Sequence, residues 1–522
     1  MGNQVRILCR GACLAIKDTL TEMDRRSFLS YVAAAPTTIA AAPQSSGTDT
    51  SKVTGKPFVG VQLGAHSVFD EGVDHCLDLL QETAAVNAVF VYSHTYQGYS
   101  SGRKTSDLAN DHGVPVRDPK ARKLPLVWVR PHEEFYRDTF LRHATPRADT
   151  EFKNQDVFET LAEPCRKRGI QLFARVLEGH GRDPLQAIPN WSRILTRDVY
   201  GRSTILPCWN HPAYRAWWLG SVEDTFKSYP LAGMKWGAER SGPLSNLLTS
   251  PPGARRVPFC FCEFCEAKGR TRAIRVDRAR EGFRQLFELV SSVQDGKARP
   301  EDGTFITLLR LLLRYPEILA WEQLWHDSKE SLKEEIYGTV KQINPRASVG
   351  WHVYHWVTWE PIYRAAVDYS QMANYSDWIK PVVYHDVAGP RIKSSAIDTW
   401  SKGLMRESSP NETLQTLYGI LGYDRAKEPS YDQLSKRGMT ADYVYRETKR
   451  CVDDVAGKCQ VYPGVGFDVP GQAAPSDPET VYQATSKAFQ AGATGLIISR
   501  EYDEMRVPNL RAVGRAVREV KA

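Results

Sequence analysis

The sequence predicts an α/β fold, a (β/α)8 TIM barrel with long insertions in the loops that follow its strands. Three observations lead to this prediction: eight short runs rich in β-branched and aromatic residues, amphipathic stretches between them, and a length of 522 residues. A barrel of this kind needs about 250 residues, so insertions account for the remainder. The predicted strands are 58–65, 87–94, 170–177, 234–238, 347–354, 378–384, 460–466 and 495–499.

Helical patterns and three insertions separate the predicted strands. Each insertion follows a strand and is therefore expected at the carboxyl-end face of the barrel. The insertions cover 97–150, which includes a strand-like run at 124–130, and also 240–272 and 386–435. The predicted helices are 73–85, 156–167, 212–226, 277–293, 321–343, 440–455 and 479–491.

The chain divides into an amino-terminal targeting segment, residues 1–45, and a barrel domain, residues 57–522. Arg25 and Arg26 precede a short apolar run, 31–42, in the manner of a twin-arginine export signal. That run is too short for a permanent membrane anchor, which needs about 20 apolar residues. Residues 1–22 are either an upstream extension or a long start of the signal. The sequence therefore predicts a periplasmic or secreted protein with no stable membrane anchor.

Composition excludes several classes of function. With 42% hydrophobic and 25% charged residues the chain is typical of a soluble globular protein. The net charge of +7 is spread without a dense basic block, so nucleic acid is not expected as a partner. The 13 Trp and 23 Tyr residues favour a carbohydrate ligand. The sequence contains no phosphate-binding glycine loop.

Polar residues at the ends of the predicted strands are the candidate site, because barrel enzymes carry their catalytic groups there. Glycosidic bond cleavage needs two carboxyl groups, and Glu239 and Asp468 are the leading pair. Trp236 would raise the pKa of Glu239 and Arg240 would lower it, so its protonation state stays open. For each carboxylate the alternative is a salt bridge or a helix cap. The residues expected to bind substrate are Glu178, His180, Trp236, Arg240, His352, His355, His385, Asp386, Arg500 and Glu501.

Two of these histidines lie three residues apart, which places them on one side of a helix but not of a strand. His352 and His355 fall at a predicted strand, where their side chains would diverge. A two-histidine metal site is therefore not favoured, and hydrogen bonding to a ligand or packing beside the neighbouring tryptophans is expected instead.

The cysteines form a sharper local pattern. Cys260, Cys262 and Cys265 lie within six residues, and Cys208 belongs to a neighbouring loop. Four thiolates converging in this way suit a closed tetrahedral zinc site, which would stabilise the fold and not catalyse. A disulfide after export and free thiols are the two alternatives.

Residues 57–522 resemble the glycoside-hydrolase-like barrels of exported bacterial proteins, which are distantly similar to the zinc-cluster β-galactosidases. The matching segments are 207–215, Glu239, 260–265 and 499–502. The resemblance implies an acid/base carboxylate on the fourth strand, a nucleophile on the seventh, and a structural zinc at the four cysteines. The chain departs from that pattern at Ala238, where the relatives have Asn, and at Asp468, where they have Glu.

Together these observations predict a secreted glycoside hydrolase that acts on an oligosaccharide or glycoside. No cofactor is expected for catalysis, and zinc is expected to be structural. Two alternatives are a carbohydrate-binding barrel without catalytic activity and a metal-dependent sugar isomerase or epimerase.

Overall fold

The computed structural model describes residues 56–95, 104–143, 150–178, 182–471 and 473–520. The predicted export signal and His180 lie outside the described residues. Among the helices of the described residues, none combines the length and the apolar character needed to cross a lipid bilayer.

The described residues contain a parallel sheet of nine strands that closes into a barrel. Its order is β10-β11-β1-β2-β3-β6-β7-β8-β9, and β4 and β5 form a separate antiparallel pair. The strands are β1 Phe58–Leu63, β2 Ala88–Tyr92, β3 Gln171–Leu177, β4 Leu195–Arg197, β5 Ser203–Pro207, β6 Gly233–Gly237, β7 Ser348–Val353, β8 Trp378–Pro381, β9 Gln460–Val461, β10 Gly464–Gly466 and β11 Gly495–Ser499.

Closure depends on β9 and β10, which together form the seventh predicted strand. Pro463 interrupts this strand because it has no N–H to donate. The interrupted segment still bonds on both sides: the Tyr462 N–H donates to the Ile379 carbonyl at 2.9 Å, and the Pro463 carbonyl accepts from the Ile497 N–H at 3.0 Å. All eight predicted strands are therefore confirmed, and the fold is the predicted (β/α)8 barrel.

The helices confirm the seven predicted ones within a few residues and add several in the insertions. Segment 386–435, predicted as a loop, is largely helical, and run 124–130 contributes one isolated bridge, Val127 to His94, in place of a strand. The helices are α1 Ala65–Glu71, α2 Val73–Ala84, α3 Val157–Arg168, α4 Arg182–Ala187, α5 Pro212–Ser228, α6 Pro243–Leu248, α7 Glu263–Thr271, α8 Val276–Gln294, α9 Thr304–Arg314, α10 Glu317–Ile343, α11 Pro361–Ala366, α12 Tyr369–Met372, α13 His385–Arg391, α14 Asp398–Trp400, α15 Pro410–Leu421, α16 Leu434–Arg437, α17 Ala441–Val455, α18 Pro478–Gln490 and α19 Val507–Glu519.

Shorter helical turns connect these elements. A π-helix, Ile392–Ile397, continues from α13. The 3-10 helices are Thr105–Asp107, Pro119–Ala121, Glu133–Tyr136, Trp191–Ile194, His355–Thr358, Ala373–Tyr375 and Tyr502–Glu504.

The barrel interior has an apolar layer near the amino ends of the strands and a polar layer near their carboxyl ends. Phe90, Phe173 and Trp378 belong to the apolar layer. Gly350 is required there, since a Cβ at this position would lie 2.1 Å from the Trp378 ring. The polar layer contains Gln62, Arg175, Lys235, His352 and Lys380. It forms the floor of the barrel mouth, where substrates of such folds bind.

Candidate active site

Glu239 lies just beyond the carboxyl end of β6, and its side chain is 35% exposed. Its Oε1 is 3.1 Å from Nε2 of His352, which comes from the adjacent strand β7. Gly237 permits this contact, because a Cβ there would lie 2.6 Å from the His352 Cβ. The backbone and one neighbouring imidazole thus hold a solvent-accessible carboxylate at the barrel mouth.

The tautomer of His352 follows from the hydrogen-bond partners of its two ring nitrogens. Its Nδ1 lies 3.2 Å from Nζ of Lys380, and its Nε2 lies 3.1 Å from the Glu239 carboxylate, which can only accept. Nδ1 is therefore the acceptor, and Nε2 carries the proton that is donated to Glu239. Burial and the charge of Lys380 lower the pKa of His352 to about 3, so the imidazole is neutral near pH 7.

Glu239 is ionised. Burial alone would raise its pKa, but the hydrogen bond from His352 and the charges of Arg391 and Arg500 hold the pKa well below the ordinary glutamate value. Arg240, which the sequence offered as the lowering charge, takes no part because it faces another carboxylate. A carboxylate in this state suits a nucleophile or a general base better than a proton donor.

Two lysines that the sequence analysis missed lie beneath Glu239. Nζ of Lys235 and of Lys380 both donate to Oε1 of Gln62, at 2.5 and 3.1 Å. The Gln62 amide is fixed because its Nε2 donates to the Arg500 carbonyl at 3.0 Å. Burial lowers the pKa of both lysines, and Lys380 lowers that of Lys235 further. Their N–H donors form a floor beneath Glu239, and both lysines interact with it electrostatically.

Glu501, just after the end of β11, also reaches this polar layer but forms an ion pair with Arg175. Its two oxygens accept from the Arg175 guanidinium at 2.7 and 2.8 Å, and Arg175 lies 3.8 Å from the centre of the Tyr92 ring. The bidentate pair neutralises Glu501 and holds it in place. Glu501 therefore serves as a fixed part of the mouth and is not a free carboxylate.

Glu178, Trp236 and Arg240 do not line the barrel mouth, so their placement does not support the predicted role in substrate binding. Side chains alternate along a strand, and these three belong to the face that packs on the helices. The Glu178 side chain is 0% exposed, accepting from Arg240 at 2.8 and 3.1 Å and from the Tyr214 hydroxyl at 2.5 Å. The Trp236 ring packs against Trp218 at 5.7 Å.

This buried ion pair leads to a stability prediction. Glu178→Ala leaves the Arg240 guanidinium buried without its carboxylate, so we expect a loss of about 3–5 kcal/mol in the free energy of unfolding. Urea unfolding followed by tryptophan fluorescence measures it. Glu159→Ala is the control, since Glu159 forms an exposed pair with Arg130 at 3.7 Å and should lose under about 1 kcal/mol. Equal losses in the two variants would contradict a structural role for Glu178.

His355 and His385 are buried and neutral. Burial lowers the pKa of His355 well below its usual value and that of His385 to about 4. His355 lies between the Tyr443 hydroxyl at 3.0 Å and a guanidinium nitrogen of Arg391 at 3.2 Å. Because the arginine can only donate, Nδ1 of His355 accepts, and the imidazole holds Arg391 in place at the mouth.

Asp386, the second residue of α13, is the predicted site carboxyl best able to keep a proton. Burial raises the pKa of Asp386 to about 7 against the lowering effect of the hydrogen bond from Ser476. The Ser476 hydroxyl donates to its Oδ2 at 2.9 Å, and the residue is 1% exposed. Asp386 is thus protonated in part at neutral pH and lies beneath the loop that follows β10.

Asp468 is turned away from the mouth, so its placement does not support the predicted pairing with Glu239. Its side chain is 1% exposed, and both oxygens accept from Nδ2 of Asn509 at 3.0 and 2.9 Å. The Arg506 backbone N–H and guanidinium also donate to it, at 2.9 and 3.1 Å. Asp468 anchors the beginning of α19, which is the helix-cap alternative recognised from the sequence.

The four predicted cysteines converge as expected for one site. The Sγ atoms of Cys208, Cys260, Cys262 and Cys265 lie within 4.8 Å of one another, with closest separations of 3.3–3.4 Å. These separations exceed the S–S bond length of about 2.05 Å and approach the spacing of about 3.8 Å for a tetrahedral zinc site with 2.3 Å bonds. The side-chain amide of Asn210 donates to Cys265 Sγ at 3.2 Å, which supports a thiolate there.

Comparison with known proteins finds distant structural neighbours. No family model matches the chain, and no curated protein matches it. It is similar to α-L-fucosidase isoenzyme 2 from Paenibacillus thiaminolyticus (11% identity, TM-score 0.45, 89% of this chain and 49% of that one). It is also similar to the β-galactosidase from the psychrophilic Marinomonas ef1 (10% identity, TM-score 0.47, 89% of this chain and 59% of that one). A third similar structure is the PgaB (BpsB) glycoside hydrolase domain from Bordetella bronchiseptica (11% identity, TM-score 0.44, 90% of this chain and 98% of that one).

All three TM-scores lie below 0.5 and all three identities are 10–11%, so the fold assignment of this chain rests on its own strand order and pairing. The chain spans about half the length of the fucosidase and 59% of the length of the Marinomonas β-galactosidase.

Proposed function

We propose that this chain hydrolyses glycosidic bonds at the mouth of its barrel, with Glu239 as the ionised catalytic carboxylate. The observation that supports the proposal is the chain of contacts from Lys380 through His352 to Glu239, which fixes a charged and solvent-accessible carboxylate where barrel enzymes bind substrate. Such a carboxylate can attack the anomeric carbon or activate a water molecule.

We propose Asp386 as the proton donor to the departing oxygen. A donor must retain its proton near the working pH, and a pKa of about 7 meets that requirement. Catalytic contacts often form only when substrate binds, so Asp386 can act as the proton donor although the loop after β10 covers it in this structure. In this arrangement Glu239 and Asp386 follow the fourth and sixth barrel strands, with His352 of the fifth between them.

These protonation states predict a pH profile. Because the donor must be protonated, kcat/KM should fall as the pH rises through about 7, and Asp386→Asn should abolish that fall together with most activity. Because Glu239 ionises below the ordinary glutamate pKa, kcat/KM should stay flat down to about pH 4.5.

Ser476→Ala provides the matched variant for this profile. It removes a hydrogen bond that lowers the pKa of Asp386, so the alkaline fall should move to higher pH. A profile that is level from pH 5 to 9, or an alkaline fall unchanged in both variants, would contradict the assignment of Asp386.

A panel of 4-nitrophenyl glycosides in both anomeric forms tests the proposed activity. 4-Nitrophenolate departs with little help from a proton donor, so cleavage of these substrates depends mainly on Glu239. Release of 4-nitrophenol from at least one member by the full chain is the expected result. No release from any member, together with no cleavage of natural oligosaccharides, would refute hydrolysis.

A carbohydrate-binding barrel without catalysis is the second candidate, because both oxygens of the predicted nucleophile Asp468 accept hydrogen bonds from the start of α19. Binding of a saccharide without turnover would favour it. The isomerase interpretation receives less support, because three of the carboxylates at the strand ends do not converge: Glu178 faces the helices, Asp468 faces α19 and Glu501 is bound by Arg175.

We also propose that the four cysteines bind a structural zinc ion. All four positions of a tetrahedral site are filled by sulfur, so the metal would join the loop after β5 to the start of α7 and leave no position for substrate. The twin-arginine motif supports a further proposal, export of the chain after folding and metal loading in the cytoplasm. Loss of the protein from the periplasmic fraction on changing Arg25 and Arg26 to Lys tests the export route.

A further inference from the structure

Three arginines surround the barrel mouth without a carboxylate in hydrogen-bond contact in the described part of the chain. Arg256 follows β6, Arg391 ends α13 after β8, and Arg500 directly follows β11. All three therefore lie at the carboxyl-end face of the barrel, the same face as Glu239.

The contacts of the three guanidinium groups are weak or neutral. Arg256 donates to the Asn246 side-chain oxygen at 3.3 Å, and Arg391 donates to the neutral His355 imidazole. The nearest carboxylate oxygen to Arg500, from Glu504, is 3.6 Å away. Elsewhere in and under the mouth, guanidinium groups have bidentate carboxylate partners, as Arg175 has with Glu501.

Two of the arginines act on Glu239, and the third lies near Tyr354 beside it. Glu239 is within electrostatic range of Arg391 and Arg500, and the Tyr354 hydroxyl is within range of Glu239, Arg391 and Arg256. Counted together, the three guanidinium groups exceed the carboxylates of Glu239 and Glu504 by one positive charge. The mouth thus has a surplus of positive charge.

None of these three half-buried guanidinium groups has a bidentate anion partner, and a partly desolvated guanidinium gains from one. Arg500 is 32% exposed, yet its Nε is buried with no hydrogen-bond partner in the described residues. Its backbone has φ of +78°, a left-handed conformation that is unfavourable for arginine. Such conformations persist at ligand sites, where the surrounding structure enforces them.

We propose that the barrel mouth binds an acidic saccharide, with Arg256, Arg391 and Arg500 holding carboxylate or sulfate groups of a sugar next to the one that faces Glu239. Guanidinium groups match both anions, because their paired N–H donors meet two oxygens at once. The inference names the substrate class of the proposed hydrolase and in that respect rests on it, but saccharide binding can be tested without turnover.

Titration calorimetry of the full chain against matched pairs of oligosaccharides tests this inference. Oligogalacturonate and oligoglucuronate are each compared with their methyl esters, and chondroitin sulfate and heparin oligosaccharides with their desulfated forms. In at least one pair the acidic member should bind at least about tenfold tighter, the effect of one charged hydrogen-bonded contact. The uronate pairs and the sulfate pairs distinguish the two anions.

Variants assign the effect to the arginines at the mouth. Arg391→Gln and Arg256→Gln should each weaken binding of the acidic member by about tenfold while leaving its neutral form unaffected. Arg346→Gln is the control, because Arg346 is exposed and precedes β7 at the opposite end of the barrel. Thermal unfolding of each variant confirms that the fold is retained.

The outcomes separate the inference from the proposed activity. No acidic preference in any pair, or a preference that survives both mouth variants, would overturn the inference; turnover of neutral glycosides in that case would leave the hydrolase proposal intact. An acidic preference lost in the two variants would support the inference even if no glycoside were cleaved, in which case the hydrolase proposal alone would fail.

Discussion

Replacing Glu239 with glutamine is expected to lower kcat/KM for glycoside hydrolysis by about a thousandfold, within the range for loss of a nucleophile or general base. The amide keeps the size of the side chain, and its oxygen can still accept from His352. What disappears is the negative charge that attacks carbon or deprotonates water. The free energy of unfolding should change little, because the side chain is one-third exposed.

Glu82→Gln is the matched control for this experiment. Glu82 is an exposed glutamate on α2, and its replacement should leave kcat/KM within about twofold of the wild-type value. Initial rates on the best substrate of the 4-nitrophenyl panel compare the two variants. If Glu239→Gln retained more than about a tenth of the wild-type kcat/KM, the catalytic assignment of Glu239 would be incorrect.

The second large effect is expected at the cysteine cluster. Purified chain should contain about one zinc ion, and Cys262→Ser should remove it because three thiolates and a hydroxyl bind zinc far more weakly. A site saturated at about a thousand times its Kd stabilises the fold by about 4 kcal/mol, so the variant should lose a comparable amount. Metal analysis by mass spectrometry and urea unfolding measure the two quantities.

Cys165→Ser controls for the general effect of replacing a buried cysteine. Cys165 lies on α3 outside the cluster and should leave the zinc content unchanged. Wild-type chain with no zinc and with two disulfides among the four cysteines would instead establish the oxidised alternative. Equal zinc content in both variants would place any bound metal elsewhere.

The barrel could be predicted because each strand carries its own local signal. The runs at β1, β2 and β11 are short, apolar and β-branched, as expected for strands covered on both faces. Pro463 did not obscure the seventh strand, because the backbone groups on either side of it still pair. Segment 386–435 was harder, since α13 contains Pro390 and continues into a π-helix, which weakens the helical pattern.

The site could be predicted only in part, and strand alternation explains several of the errors. Glu239 was identified from its position at a strand end. Arg240 is the next residue and must therefore face the opposite side of the barrel wall, where Glu178 meets it. The same alternation places Lys235 in the interior with Glu239, so Lys235 could have been identified by counting residues along the strand.

Contacts between distant segments could not be derived from the sequence. Asp468 occupies the expected strand end, yet Arg506 and Asn509 turn it toward α19. Lys380 is linked to Glu239 by hydrogen bonds through His352, across three strands of the barrel. Such roles depend on which side chains meet in the folded state, and no spacing within one segment encodes them.

Chemical rescue of Glu239→Ala by azide tests the central claim most directly. The small side chain opens a space beside the anomeric carbon, which azide can enter in place of the missing carboxylate or the water it activates. The account predicts that molar azide restores turnover of a 4-nitrophenyl glycoside at least about tenfold and yields a glycosyl azide, whereas the wild-type rate stays unchanged. Undiminished hydrolysis by Glu239→Ala, or an impaired variant that azide does not restore and that forms no glycosyl azide, would contradict it.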